Sequence, residues 1–199
     1  MAQLRLPLAA ATMALAAAAA AAFCCCCSAA TGFEFNEATV DAIQLGFSNG
    51  SLTSTTLVRF YLDRIARLNP LLHAVIEVNP DALAQAARAD AERATGRRCR
   101  PMHGVPVLLK DNMATRDRLN TTAGSLSLLG AVARRDAGVV ARLRRAGAVV
   151  LGKANLPEWA NFRSSPGLRG WSARGGQSRV SSRRQARHSC RLPWRSNAS

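Results

Sequence analysis

The chain has 199 residues, 48% of them hydrophobic, so it is long enough for one domain and too apolar to be disordered throughout. Its formal net charge of +15 would suit a nucleic-acid partner. However, only two of the 27 basic residues are lysines, Lys110 and Lys153, and no basic stretch alternates with aromatic residues as single-strand binding surfaces do. We therefore predict no nucleic-acid partner.

The first thirty residues have the composition of a targeting segment. An uncharged apolar run at residues 6–23 follows Arg5, and the small residues Ser28 and Ala30 fit a cleavage site after position 30. We predict a signal peptide at residues 1–30 and a protein of the secretory pathway or the extracellular space. The alternative is a membrane anchor, because a span needs about 20 apolar residues. Alanine is only weakly apolar, so we expect no stable span.

Cysteine and histidine usage gives no sign of a metal site. Four of the six cysteines lie together at residues 24–27, which leaves only Cys99 and Cys190 in the rest of the chain. Neither a disulfide framework nor a metal-ligand spacing follows from two distant cysteines. His73 and His103 are isolated and have no ligand partners at metal spacing. We predict neither a metal nor a cofactor.

Apolar periodicity predicts two helices at the start of the body. The first is expected to be capped by Asn36 and stopped by the Asn-Gly pair at 49–50. The second is expected to start at Thr53 or Ser54 and to end before Pro70. It carries an apolar stripe formed by Leu57, Tyr61, Ile65 and Leu68.

Strand and helix signals alternate in the remainder of the body. Residues 73–78 predict a short strand, and a helix is expected over about residues 80–94. The continuous apolar run at 105–109 is typical of a strand buried on both faces. A further helix ends at Gly147, and a second buried strand follows at residues 148–153. This order predicts an α/β fold with a parallel or mixed sheet covered by helices.

Lys110 is the candidate for chemistry, because it directly follows the apolar strand in "GVPVLLKDN". Sites in open α/β sheets gather at the carboxyl ends of strands. Loss of water there disfavours the charged form of a lysine and favours an amine that can accept a proton. The alternative is that Lys110 pairs with Asp111 or points to solvent. Asp111 and Asn112 would orient Lys110 or the local turn. Lys153, which also follows an apolar strand, is expected to be structural or part of the substrate-loop framework.

Four segments carry a family resemblance, in family order, between about Phe35 and Gln177. They are "LNPLLHAVIEVNPDAL", "GVPVLLKDNMATRDRLNTTAGS", "DAGVVARLRRAGAVVLGKANLPEWANFRSS" and "GWSARGGQ". Together they resemble the amidase signature family, and its plant members most closely. The resemblance implies that residues 31–177 form the N-terminal part of an amidase domain, so the expected fold is an incomplete amidase-signature α/β fold with a mixed sheet covered by helices.

The resemblance also implies a reaction. Family members hydrolyse carboxylic amides with a Ser-Ser-Lys arrangement and no cofactor. The lysine at the position of Lys110 acts through a serine in a cis peptide to deprotonate a nucleophilic serine. A small-molecule amide is therefore the expected substrate, and Lys110 the expected catalytic residue.

The two serines of that arrangement do not carry over. In the family, "GWSARGGQ" leads into a loop rich in glycine and serine, whereas residues 178–199 contain six arginines and no glycine. We assign no role to Ser181, Ser182 or Ser189 in that stretch. We predict a divergent, disordered Arg/Ser-rich tail at 178–199, a chain truncated before the serines and no activity for the chain alone. The alternative is a non-catalytic fragment or binding module. The sequence predicts no oligomeric state.

Overall fold

The computed structural model describes residues 33–96, 100–162 and 170–179. The chain divides into two units between Phe33 and Glu34, and every element below belongs to the second unit. The predicted signal peptide at 1–30 lies outside the described residues, as does the predicted tail from residue 180 onward. Within the described ranges, no helix has the length and apolar character needed to cross a membrane.

The first helix, α1 (Val40–Ser48), begins later than the sequence predicts. Its N-cap is Thr39 rather than Asn36: Thr39 is extended, and its hydroxyl accepts a hydrogen bond from the Ala42 backbone N–H at 3.1 Å. That bond satisfies one of the N–H groups that a helix start leaves without a partner, so the helix begins at the following residue. The predicted cap at Asn36 is wrong for this reason.

The second helix, α2 (Ser54–Leu72), confirms its predicted start and corrects its predicted end. Thr53 caps it by accepting from the Thr56 N–H. Pro70 lies inside the helix rather than beyond it. The last turn is closed by a hydrogen bond from the His73 N–H to the Asn69 carbonyl at 2.8 Å. This bond does not involve the backbone nitrogen of Pro70, which has no hydrogen to donate.

The main sheet has three strands in the order β1-β3-β2. Its strands and the remaining helices are β1 (Val75–Val78), α3 (Ala82–Ala94), β2 (Pro106–Lys110), α4 (Gly138–Arg145) and β3 (Val149–Ala154). Strand β3 is parallel to β2 and antiparallel to β1. The sheet is therefore mixed, as predicted, and α4 lies in the crossover between the two parallel strands.

Apolar side chains cover the sheet on both faces. One cluster joins α2 and α3 to the sheet and contains Val58, Ile65, Val75, Ala82, Ala86, Val149 and Leu151, with Leu108 packed against it. The other lies beside α4 and contains Leu109, Leu119, Val140 and Val150. All six residues of β3 are buried, but in β2 only Leu109 is. The prediction that 105–109 is buried on both faces therefore fails in part, because β2 is an edge strand of the described sheet.

Short elements complete the described chain. A two-stranded hairpin, which we call the edge hairpin (residues 170–179), contains β4 (Trp171–Ser172) and β5 (Gly176–Gln177). Single turns of 3-10 helix occur at Leu126–Leu128 and Glu158–Asn161. Trp159 is half-buried in the second of these turns.

Substitution of Leu57 tests whether the apolar stripe of α2 contributes to the hydrophobic core. Leu57 is fully buried, so we expect Leu57→Ala to lower the free energy of unfolding by about 2–5 kcal/mol in urea titrations. The matched control is Leu45→Ala on α1, whose side chain is 65% exposed and whose loss should cost within about 0.5 kcal/mol. Equal losses for the two variants would contradict this assignment of the core.

Candidate active site

Lys110 is the last residue of β2 and lies opposite Ala154, the last residue of β3. The two parallel strands thus end at one edge of the sheet, which we call the carboxyl edge. Side chains alternate along a strand, so Lys110 faces the same side as Leu108, the side covered by α2 and α3. Its side chain is half-buried. The structure therefore places the predicted catalytic lysine where open α/β sheets place their sites.

The neighbouring carboxylate does not pair with this lysine. Asp111 is fully buried, and its Oδ2 accepts hydrogen bonds from the Thr122 hydroxyl and the Gly124 N–H. Its Oδ1 lies 3.3 Å from the Arg174 guanidinium. Over the described parts of the chain, the Lys110 amine makes no hydrogen bond or ion pair. Asp111 thus organises the turn at 122–124 and leaves Lys110 unpaired there.

Lys153 has a structural environment on the opposite side of the sheet. It is fully buried, and its amine donates to the Met113 carbonyl at 2.6 Å and to the Thr121 hydroxyl at 2.9 Å. Burial lowers the pKa of Lys153, and the charge of Asp111 offsets part of that effect. The two hydrogen bonds hold the segment after β2 against β3.

Arg174 connects two strands through their carboxylates. Its guanidinium forms ion pairs with Glu77 of β1 and with Asp111, which follows β2. Together with Lys153, these side chains form a group of two cations and two anions, which we call the edge charge cluster. Sequence reasoning missed Arg174 and Glu77, and the available signal was that both lie in segments of the family resemblance, Arg174 in "GWSARGGQ" and Glu77 in "LNPLLHAVIEVNPDAL".

The edge hairpin sits directly on the end of β3. The Asn155 side-chain amide donates to the Gly175 carbonyl at 3.1 Å, and its carbonyl oxygen accepts from the Ser172 hydroxyl at 2.8 Å. The Arg174 N–H also bonds the Gly124 carbonyl at 2.9 Å. A Cβ atom at Gly175 would lie 2.3 Å from the Asn155 side-chain oxygen. This position therefore requires glycine so that the backbone can approach Asn155.

Other residues singled out in the sequence do not join the site. His103 is buried, and its Nε2 lies 3.0 Å from the Ala89 carbonyl oxygen. His73 ends α2 in a left-handed conformation. In the portion of the chain that the structure describes, no three His, Cys, Asp or Glu side chains are grouped to hold a metal ion. Ser181, Ser182 and Ser189 lie outside the described residues.

Comparison with known proteins decides the family. The family model named Amidase matches residues 56–168, more than half of the chain. The chain belongs to the amidase signature family. It is 59% identical over 145 residues to a probable amidase of Arabidopsis thaliana and 51% identical over 143 residues to a putative amidase of Schizosaccharomyces pombe. Both alignments cover 72% of this chain.

Solved amidase structures share the fold of the described residues. The native peptide amidase of Stenotrophomonas maltophilia superposes with a TM-score of 0.70 at 54% identity over 74% of this chain. An amidase family protein of Bacillus anthracis gives 0.68 at 37% identity over 72% of this chain. The chain spans only 28% of the Arabidopsis relative and 30% of the Stenotrophomonas enzyme. The matched part is thus less than a third of either relative.

Lys153→Met tests the lowered pKa of Lys153. Between that lowered pKa and the ordinary value of 10.5, the unfolded chain binds a proton that the folded chain lacks, so stability rises with pH. Methionine does not titrate. We therefore expect the free energy of unfolding of the unmodified chain, minus that of Lys153→Met, to increase as pH rises through this window. Urea titrations at several pH values measure this difference. A difference independent of pH would contradict the assignment.

Proposed function

We propose that Lys110 is the base of a Ser-Ser-Lys site that hydrolyses small-molecule carboxylic amides. The observation that supports this best is the position of its amine: it stands at the carboxyl edge of two parallel strands, half-buried, while the adjacent carboxylate of Asp111 binds other groups. Membership of the amidase family supports the same reaction.

The chemistry follows from what an amide requires. A serine hydroxyl is a weak nucleophile at neutral pH and needs a base within hydrogen-bond reach. In the proposed site, Lys110 takes a proton through one serine, and a second serine attacks the amide carbonyl carbon. The amine leaves with a proton, and water then attacks the acyl-enzyme to release the acid. Backbone N–H donors must stabilise the oxyanion that forms in each step.

We propose further that residues 178–199 do not supply those serines. Close approach of a backbone to substrate, with the dihedral angles that an oxyanion site needs, is a property of glycine. The stretch contains none, and its serines lie among six arginines. The proposal for the 199-residue chain alone is therefore an amidase-family fold without turnover.

Residues 31–199 expressed alone test the second proposal. We expect no hydrolysis of small amides above the buffer rate and no specific labelling by a fluorophosphonate, which reacts with activated serines. Mass spectrometry of the labelled digest identifies any serine that reacts. Turnover together with specific labelling of Ser181, Ser182 or Ser189 would contradict it.

A graft tests the role of Lys110. Residues 178–199 are replaced by the part of the Arabidopsis relative that follows its matched segment, and hydrolysis of a small amide is measured. We expect Lys110→Arg to lower turnover at least ~100-fold, because the guanidinium keeps the charge but does not give up its proton. The matched control is Arg88→Gln at an exposed position of α3. An active graft that tolerates Lys110→Arg would refute the assignment.

A binding module remains the second candidate function. The observation in its favour is that β2 is an edge strand of the described sheet, and such edges pair with strands from other chains. Under this alternative, the fragment associates with another polypeptide through β2. Sedimentation of residues 31–199 over a concentration range distinguishes a monomer from a self-associating fragment.

We also propose that residues 1–30 direct the chain into the secretory pathway and are removed. The support is compositional: an early arginine, an uncharged apolar run and small residues at the cleavage site. The alternative is retention of this segment as a membrane anchor. N-terminal sequencing of the protein from a secreting host distinguishes the two, because removal leaves Thr31 as the first residue.

A further inference from the structure

The edge hairpin contacts residues near both Asp111 and the end of α2. On the α4 side, Arg174 reaches Asp111, and its N–H bonds the Gly124 carbonyl. At the other end, the Arg179 N–H donates to the carbonyl of Leu72, the last residue of α2, at 2.8 Å. Helix α2 covers the side that Lys110 faces. The turn of the hairpin therefore lies near Asp111, and its paired ends, Gly170 and Ser178, lie toward the end of α2.

The hairpin is attached to residues that neighbour Lys110. Asn155, which holds the Gly175 and Gly176 carbonyls, directly follows Ala154, the strand partner of Lys110. The Asp111 N–H also bonds the Ala154 carbonyl at 3.1 Å. The hairpin is thus fixed to residues adjacent to Lys110 on both parallel strands and borders the site at the carboxyl edge.

Arg174 is the charged anchor of this hairpin. Its side chain is 11% exposed, and it joins Asp111, which is 0% exposed, to Glu77, which is 21% exposed. These pairs are largely removed from water, where screening is weak. A planar guanidinium can bind two carboxylates at once in fixed directions, whereas the lysine ammonium is a single point charge. The hydrogen bonds that join the hairpin to Asn155 and to the Gly124 carbonyl are between uncharged groups.

We propose that Arg174 is a positioning residue for the Lys110 site. By bridging Asp111 and Glu77, it holds the edge hairpin over the end of β3 as one wall of that site, and it directs residues 175–179 toward the end of α2. The inference rests on the proposed function only in taking Lys110 as the base. Neither the family match nor the solved relatives assign Arg174 a role.

Because the chain has two lysines, the shielding of Lys110 by the edge hairpin can be measured by lysine acylation. Lys110 and Lys153 are the only lysines, and Lys153 is fully buried. Acylation by an N-hydroxysuccinimide ester at fixed pH, followed by mass spectrometry, therefore reports access to Lys110, and Lys153 reports loss of the fold. We expect Arg174→Gln to raise the Lys110 acylation rate several-fold while Lys153 stays unreacted. Arg88→Gln should leave both rates unchanged.

A conservative variant and a double variant separate positioning from general destabilisation. Arg174→Lys keeps the positive charge but loses the planar guanidinium. We therefore expect its Lys110 acylation rate to lie between that of the unmodified chain and that of Arg174→Gln. If Arg174→Gln exposes Lys153 as well, the double variant with Asp111→Asn removes the uncompensated buried carboxylate. We expect it to keep Lys153 protected while Lys110 still reacts faster.

Several results would overturn the proposal. The first is a Lys110 acylation rate in Arg174→Gln equal to that in Arg88→Gln. The second is an equal Lys110 acylation rate in Arg174→Lys and Arg174→Gln. The third is a double variant that either keeps the Lys110 acylation rate of the unmodified chain or loses the fold. Because acylation requires no turnover, these results do not depend on the graft experiment. An inactive graft with the expected labelling pattern would refute the proposed function and leave the positioning role intact.

Discussion

The buried carboxylate of Asp111 sets the geometry of the carboxyl edge. A charge that is removed from water must be bound by hydrogen bonds or opposite charges, since leaving it unpaired costs several kcal/mol by the usual order of magnitude. Three parts of the chain meet this need: the Thr122 hydroxyl, the Gly124 N–H and the Arg174 guanidinium. Each is held in place by the same requirement, so the end of β2, the turn at 122–124 and the edge hairpin form one connected structure.

The two lysines show how one edge can hold both a buried amine with hydrogen-bond partners and a half-buried amine that we propose as the base. They lie at the ends of neighbouring parallel strands but face opposite sides of the sheet. Lys153 has carbonyl and hydroxyl partners and no exposure, whereas the Lys110 amine has no such partner within the described residues. The sequence alone distinguishes them only through the family resemblance, because both simply follow apolar strands.

Local patterns predicted most of the elements, and long-range contacts account for most of what they missed. The strands at 75–78 and 149–154 follow from apolar runs, and the helix at 82–94 follows from its composition and from the Pro-Asp pair that precedes it. The ends of the first two helices depended on competing local hydrogen bonds, so Asn36 and Pro70 misled the prediction. The Arg174–Glu77 pair spans 97 positions, and no periodicity signals a contact at that distance. The position of Lys110 at the carboxyl edge was therefore predictable from the sequence, and the contacts of Arg174 and Glu77 were not. The catalytic role of Lys110 stays a prediction.

The strand order has a consequence for how this sheet can assemble. Strand β3 is central, yet it is the last of the three to be synthesised, and it supplies the pairing partner for both β1 and β2. Among the strands that the structure describes, β1 and β2 have no neighbour with which to complete a hydrogen-bonded ladder until β3 emerges from the ribosome. About seventy residues must be synthesised between the end of β1 and the start of β3, so the apolar residues of β1 stay unpaired during that time. Non-local pairing of this kind slows folding and favours binding by chaperones.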